Sequence, residues 1–242
     1  MELKILSFNS SGFNDEKASF ISLLLNSMNV QILFWQEHFL LKNNLYKIDG
    51  KFHNFDSFCL PAIRSEKNEF RGRPSGGLGI FWNKSLGDVK IIKHPDSNRV
   101  QAIEIYKKYV FINVYFPTDP RVDNFDDFEL LKCLGDINWY YENLPDKKFI
   151  IGGDLNSDFS RNSRFVNIVR GFLADRSLFT VWSHFDIDFT FGQHFIRNGN
   201  NYFASSCIDH FVLQNALLND VSHAQVIHLG DNESPMSPFL CP

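Results

Sequence analysis

The chain has 242 residues, of which 44% are hydrophobic, 21% charged and 15% aromatic, with a formal net charge of −4 and a pI near 6.0. That length serves one large domain or two small ones with a sizeable core. The composition excludes wholesale disorder, collagen and low-complexity classes, and the negative charge excludes nucleic-acid binding by a global basic field, leaving a local patch plus a metal. Cys59, Cys133, Cys207 and Cys241 lie far apart with no CxxC pair, which excludes zinc ribbons and thioredoxin-like redox motifs. The opening MELKILSFNSSG lacks the charged and apolar regions of a signal peptide, and no stretch approaches the roughly 18 apolar residues of a membrane helix. The expectation is a soluble, intracellular protein of a reducing compartment, nuclear or cytoplasmic, with no membrane partner. The 26 phenylalanines read first as core filling, with nucleotide bias in the gene as the alternative.

In chain order, Leu3–Phe8 reads as a strand. The turn Gly12-Phe13-Asn14-Asp15 offers Asn14 or Asp15 as a helix N-cap, after which Phe20, Leu23, Leu24 and Met28 recur at helical spacing. Val30–Trp35 is a second buried strand, so the chain opens β-α-β, the crossover of a parallel pair. Arg64 to Pro74 reads as an exposed loop in which Arg64, Lys67, Arg71 and Arg73 face Glu66 and Glu69. Gly76-Gly77 closes it. Leu78–Trp82, Val89–Ile92, Val100–Ile105 and Tyr109–Phe116 are strands. Asn124 to Leu144 reads as a helix with Phe125, Phe128, Leu131, Leu134 and Ile137 as its apolar stripe and Asp126, Asp127 and Glu129 in the first turn, where the dipole favours anions. Phe149–Gly152 is a strand, and Phe165, Ile168, Val169 and Phe172 mark another helix. Ile208–Leu213 and Val226–Ile227 are the last strands. No repeat or long linker divides the chain, which reads as one α/β domain over residues 1–242.

Acidic groups stand at strand ends, where open α/β sheets place their sites. Glu37 follows Val30–Trp35, Asp154 follows Phe149–Gly152, and Asp209 lies inside Cys207–Leu213. Asn9 ends the first strand, and Asn156 lies two residues past Asp154. Hard carboxylate and amide oxygens converging on one point suit Mg²⁺ or Mn²⁺. Phosphodiester hydrolysis needs such a metal, a base for water and donors for the phosphate.

Seven stretches carry a resemblance: LKILSFNSSG (3–12), ILFWQEHFL (32–40), GRPSGGLGIFW (72–82), NRVQAIEI (98–105), FINVYFPT (111–118), IIGGDLNSDFS (150–160) and SSCIDHFVL (205–213). In their order and spacing the chain resembles the endonuclease/exonuclease/phosphatase family, and more narrowly the apurinic-type endonuclease domain of LINE-type non-LTR retrotransposons. The resemblance implies a four-layer α/β/β/α sandwich, two mixed sheets face to face with helices outside. It implies that Asn9 and Glu37 hold the divalent metal and orient the scissile phosphate, with Gln36 the usual neighbour. Tyr115 would donate to a phosphate oxygen, Asp154 would activate or orient the attacking water, and Asn156 would hydrogen-bond the pentacovalent phosphorus centre. Asp209 would orient a catalytic histidine. Thr190 would line the DNA face. Arg99 has two readings, reaching the phosphate or bracing its loop. Arg73 belongs to the loop that would meet the DNA backbone. Implied partners are DNA and a reverse-transcriptase domain in a longer parent polyprotein.

The chain departs from the family at its C-terminal end. The family usually closes with Ser-Asp-His-x-Pro, where this sequence reads Ser234-Pro235-Met236-Ser237-Pro238. Methionine has no titratable group and only a weak acceptor sulfur, so Asp209 loses the partner the resemblance assigns it. Either the activity is impaired by decay, or another of His38, His184, His194, His210 and His228 substitutes. His210, next to Asp209 in a strand, is expected to point to the opposite face. The last core strand is expected to be short or unpaired. The readings are therefore a metal-dependent DNA-nicking endonuclease leaving a 3′-hydroxyl, impaired at these two positions; a dead remnant that at most binds DNA; or a small-molecule phosphatase or phosphodiesterase of the same superfamily.

Overall fold

The computed structural model describes residues 2–64, 73–122, 124–187, 189–197, 200–227 and 239–241. Its strands and helices run β1 (Ile5–Asn9), α1 (Asp15–Ser27), β2 (Ile32–Gln36), β3 (Phe55–Leu60), β4 (Leu78–Asn83), β5 (Val89–Ile92), β6 (Val100–Ile105), β7 (Tyr109–Tyr115), α2 (Phe128–Asn143), β8 (Lys148–Asp154), α3 (Arg164–Asp175), β9 (Leu178–Thr180), β10 (Phe191–Arg197), β11 (Asn200–Ser206), β12 (Asp209–Gln214), α4 (Asn215–Leu218), β13 (Gln225–Val226) and β14 (Phe239–Cys241). One six-stranded sheet has the order β13-β14-β1-β2-β4-β3 and the other β5-β6-β7-β8-β12-β9, while β10 and β11 form a separate ribbon. The parallel pairs are β1/β2, joined through α1, and β7/β8, joined through α2. Among the described residues no helix is long and apolar enough to cross a membrane.

The period of two along each strand builds the layers. In β1, Ile5 faces the second sheet and Leu6 faces α1; in β2, Ile32 and Phe34 face the second sheet while Leu33 and Trp35 face α1. In β7, Phe111 points between the sheets and Val110, Ile112 and Val114 point toward α2 and α3. The result is the four-layer α/β/β/α sandwich the resemblance implies, with an apolar core between the sheets and one under each helical layer. Gly152 lets the sheets close on each other, since a Cβ there would lie 2.5 Å from the Phe211 ring and 2.9 Å from that of Phe34.

Local signals account for the helix starts. Asn14 caps α1, its Oδ1 accepting from Lys17 N at 2.7 Å. α2 begins four residues later than the predicted Asn124, because Asp126 Oδ1 accepts from Phe128 N at 3.0 Å and keeps the preceding residues out of the helix. Of the three acids predicted in its first turn, Glu129 alone is there. The strands β3, β9, β10 and β11 are not among the predicted ones, and the last core strand, expected to be short or unpaired, is short but paired. β11 is exposed along almost its whole length and gives no burial period to read. β14 is three residues long and pairs antiparallel with both β1 and β13.

Candidate active site

The strand phase that builds the inter-sheet core also delivers the polar residues. Continuing the inward rows, Asn9 ends β1, Gln36 ends β2, Tyr115 ends β7, Asp154 ends β8 and Asp209 begins the antiparallel β12. Asn9 is paired with Gln36, Tyr115 with Asp154, and Asp154 with Asp209. All five lie at one end of the sandwich, at the carboxyl ends of the parallel strands. Glu37 follows β2 with φ 55° and Asn156 follows β8 with φ 48°, both left-handed, a conformation that non-glycine residues adopt at a cost. Gly153, at φ +132°, gives β8 its final bend, where a Cβ would meet Val114 O at 2.2 Å.

The two sheets meet at Asn9. Its Nδ2 donates to Glu37 Oε1 and to Asp154 Oδ2, each at 3.0 Å, and its Oδ1 accepts from Ser11 N at 3.0 Å. Asp154 Oδ1 accepts from Asn156 N at 2.8 Å, and Asn156 Nδ2 donates to Phe116 O at 2.8 Å. Burial pushes Asp154 up to about 7, the negative charge of Glu37 adds to the rise, and hydrogen bonds from Asn156 and Asn9 oppose it. Asp209 is likewise held well above the usual carboxylate range by burial and by Asp154. The phenol of Tyr115, in hydrogen-bond contact with Glu37, is raised by burial and by the charges of Glu37 and Asp154, so it stays a donor. Among the described residues no group of three His, Cys, Asp or Glu side chains is set for a metal ion. The donor set still fits Mg²⁺ or Mn²⁺. Its carboxylates supply hard oxygens, the buried Asp154 and Asp209 are paired across β8 and β12 beside Glu37, and Mg²⁺ characteristically takes one or two carboxylates and completes its shell with water and phosphate.

The remaining predicted residues divide. Thr190 differs from the expectation that it lines the DNA face. It is fully buried, and its Oγ1 accepts from the backbone N of Ile208 and of Asp209, each at 3.0 Å, so it braces the start of β12. Arg99 contacts the end of β7: its Nη1 donates to Tyr115 O at 3.3 Å, its guanidinium lies 5.2 Å from the Tyr115 ring centroid, and its Nε is 3.6 Å from Glu129 Oε2. Arg73 is exposed, lies 4.1 Å over the Phe39 ring, and donates to Ser11 O on the loop after β1. Glu66, Lys67, Glu69, Arg71, His228, Pro235 and Met236 lie outside the described residues. Sequence reading missed Asn113 and Gln101, inward-facing amides in the middle of β7 and β6. The signal for Asn113 was a polar residue in an apolar run; β6 also carries Glu104 and gave no such signal for Gln101.

His210 points away from the site, as its strand phase predicts. Its Nε2 lies 2.8 Å from Ser157 O and 3.1 Å from Cys207 O, and burial holds it down to about 4. An imidazole neutral in the folded protein but basic when unfolded makes stability fall as pH drops from about 6.5 to about 4, by about 3 kcal/mol in total. Above 6.5 it contributes no pH dependence. Urea unfolding of the protein and of His210→Phe across pH 7.5 to 4 is expected to show a stability difference with this slope; a difference independent of pH contradicts it.

A family model described as the endonuclease/exonuclease/phosphatase family matches residues 6–232. No curated protein matches the chain. Among solved structures, an AP endonuclease from Archaeoglobus fulgidus is similar with TM-score 0.76 and 15% identity, over 100% of this chain and 99% of that one. The endonuclease domain of TRAS1, a telomere-specific non-LTR retrotransposon, gives TM-score 0.69 and 15% identity over 99% and 97%. The 3′ phosphatase NExo from Neisseria, bound to a product DNA hairpin, gives 0.72 and 16% over 100% and 99%.

Proposed function

The chain belongs to the endonuclease/exonuclease/phosphatase family, and on that premise we propose that it is a divalent-metal-dependent phosphodiesterase of the retrotransposon DNA-endonuclease type, impaired by Pro235 and Met236. The observation that carries this reading is the convergence at Asn9, where Glu37 from one sheet and Asp154 from the other stand within 3.0 Å of a single amide. Glu37 would hold Mg²⁺ or Mn²⁺, which when bound neutralises charge on the phosphate and on the leaving oxygen; Asn9, expected as a second ligand, presents its Nδ2 and orients the Glu37 and Asp154 carboxylates by donating to both. Asp154 accepts the proton of the attacking water, and its pKa near neutrality suits that task. Tyr115 and the second amide proton of Asn156 donate to phosphate oxygens. Thr190 and Arg99 act as braces, the first for Asp209 and the second for Tyr115.

DNA as substrate is supported by the rim. Arg73 is exposed beside the loop after β1, and the ribbon β10/β11 springs from the chain between Thr190 and Asp209 with Ile196 and Tyr202 exposed. A two-stranded ribbon of this kind fits a DNA groove. The reading also implies a reverse-transcriptase domain as partner in a longer polyprotein, since a nick leaving a 3′-hydroxyl primes DNA synthesis.

The test is nicking of supercoiled plasmid in Mg²⁺ by a chain carrying Pro235→Asp plus Met236→His, followed by polymerase extension of the nick without prior phosphatase treatment. Extension supports the reading; a folded chain that never nicks overturns it. Independently, Mg²⁺ is expected to raise the Tm of the unmutated chain, and Glu37→Gln to remove most of that rise, because a metal that binds only the folded state stabilises it by mass action. An equal rise in both assigns the cation elsewhere. A remnant without activity remains the second reading, favoured by the same two residues.

A further inference from the structure

The proposed metal site draws its donors from both sheets, so its geometry depends on where one sheet stands relative to the other. The packing between them is mostly apolar, with Phe34, Ile80, Phe111, Ile150 and Phe211 at its centre, and apolar contact is non-directional. Directional bonds between the sheets come from buried amides. Asn113 on β7 is completely buried. Its Oδ1 accepts from Gln36 Nε2 at 2.7 Å, and its Nδ2 donates to Trp35 O at 3.2 Å and to Gly79 O at 3.0 Å, all on the opposite sheet. Gln36 in turn exchanges hydrogen bonds with Ser7 on β1 at 3.2 and 3.3 Å. Gln101, beside Asn113 in the β6/β7 register, accepts from Gly79 N at 3.0 Å and Ile80 N at 2.9 Å and donates to Phe58 O at 3.3 Å.

The place of the Asn113 amide is what matters. Gln36 is the residue before Glu37. Asn113 lies two residues before Tyr115 on its strand, and its Oδ1 is 3.1 Å from where a Cβ on Gly153 would sit, one residue before Asp154. One carboxamide therefore bonds the residue before Glu37 on one sheet and lies close to the residue before Asp154 on the other. A fully satisfied buried amide fixes a single arrangement, because shifting the sheets would leave its donors and acceptor unpaired in an apolar interior.

We propose that Asn113 is a positioning residue for the metal site, its hydrogen bond to Gln36 setting where Glu37 stands relative to Asp154. This rests on the reading of Glu37 as a metal ligand. Residues that hold metal ligands in place commonly change metal affinity by about 10- to 100-fold when altered. The test is Mn²⁺ affinity by calorimetry, with folding checked by circular dichroism, for the unmutated chain, Asn113→Leu, Gln36→Met, the double variant and Gln101→Leu. Asn113→Leu and Gln36→Met break the same bond from its two ends and are each expected to raise the Mn²⁺ Kd at least about tenfold. The double variant is expected to be no worse than the worse single one, since the shared bond is lost once. Gln101→Leu removes a buried inter-sheet amide that does not touch Gln36, and is expected to lower Tm while leaving Kd within twofold. If one variant fails to fold, the other decides. A Kd within twofold of the unmutated chain in the folded variants, or an equal rise in Gln101→Leu, overturns the proposal. No Mn²⁺ binding by the unmutated chain overturns the metal-site reading itself, and this one with it.

Discussion

Replacing Pro235 by aspartate and Met236 by histidine is expected to raise the rate of Mg²⁺-dependent plasmid nicking by about 10²- to 10³-fold, the size of effect that one preorganised donor aimed at transition-state charge supplies. The sequence argument is that Ser234 and Ser237-Pro238 stand where the resemblance has Ser and x-Pro, while Pro235 and Met236 stand where it has Asp-His. The structural argument is at Asp209. Its Oδ2 is buried with no hydrogen-bond partner among the described residues, while the Thr190 hydroxyl contacts its side chain as well as accepting from its backbone N. A buried acceptor left unpaired costs about 1–3 kcal/mol, so Asp209 is built to receive a donor. If the new histidine is that donor, Asp209→Asn lowers nicking in the restored chain and has little effect in the unmutated one, because groups that act as a unit are non-additive. An unmutated chain that nicks at the restored rate contradicts the impairment, and a different histidine then carries the chemistry.

The site was legible where strand phase and chain order coincide. Asn9, Asp154 and Asp209 sit at strand ends in the sequence, and the alternation that places Ile5, Ile150 and Phe211 between the sheets places them there as well. Glu37 was legible only as the residue after a strand; its left-handed backbone, which turns it toward Asn9, has no glycine or asparagine to announce it. Thr190 was placed on the DNA face by the resemblance alone, whereas it is fully buried and its hydroxyl is taken by two backbone amides at the start of β12. The ribbon itself was invisible for the complementary reason. Burial writes the hydrophobic period into a sequence, and β10 and β11 pair with each other outside both sheets. Asn113 illustrates the opposite failure. A polar residue in the apolar run FINVYFPT looks like an imperfection until the facing sheet supplies Gln36, Trp35 and Gly79.

Asp154→Asn, made in the restored chain, is expected to lower nicking by about 10²- to 10⁴-fold, the range for removing a positioned general base, while making the metal-free protein more stable at pH 8. Both expectations come from the same contacts. Asp154 is fully buried, paired across β8 and β12 with Asp209, and shares the Asn9 amide with Glu37. Without a cation, ionising it places a desolvated negative charge beside that of Glu37, and its hydrogen bonds to Asn156 and Asn9 offset that cost only in part. An asparagine keeps the acceptor for Asn156 N, gives up the bond from Asn9 Nδ2 and removes the charge; relief of the desolvated charge outweighs the one lost bond, so the fold gains what catalysis loses, the trade expected where a site is kept destabilised for function. Mg²⁺ reverses the comparison: it stabilises the parent more than Asp154→Asn, because the parent alone presents the full negative set. Urea unfolding at pH 8 with EDTA and with Mg²⁺, alongside the nicking assay, reads all three quantities. A variant that is less stable than its parent in EDTA, or that nicks at the parent's rate, removes Asp154 from the role of buried base.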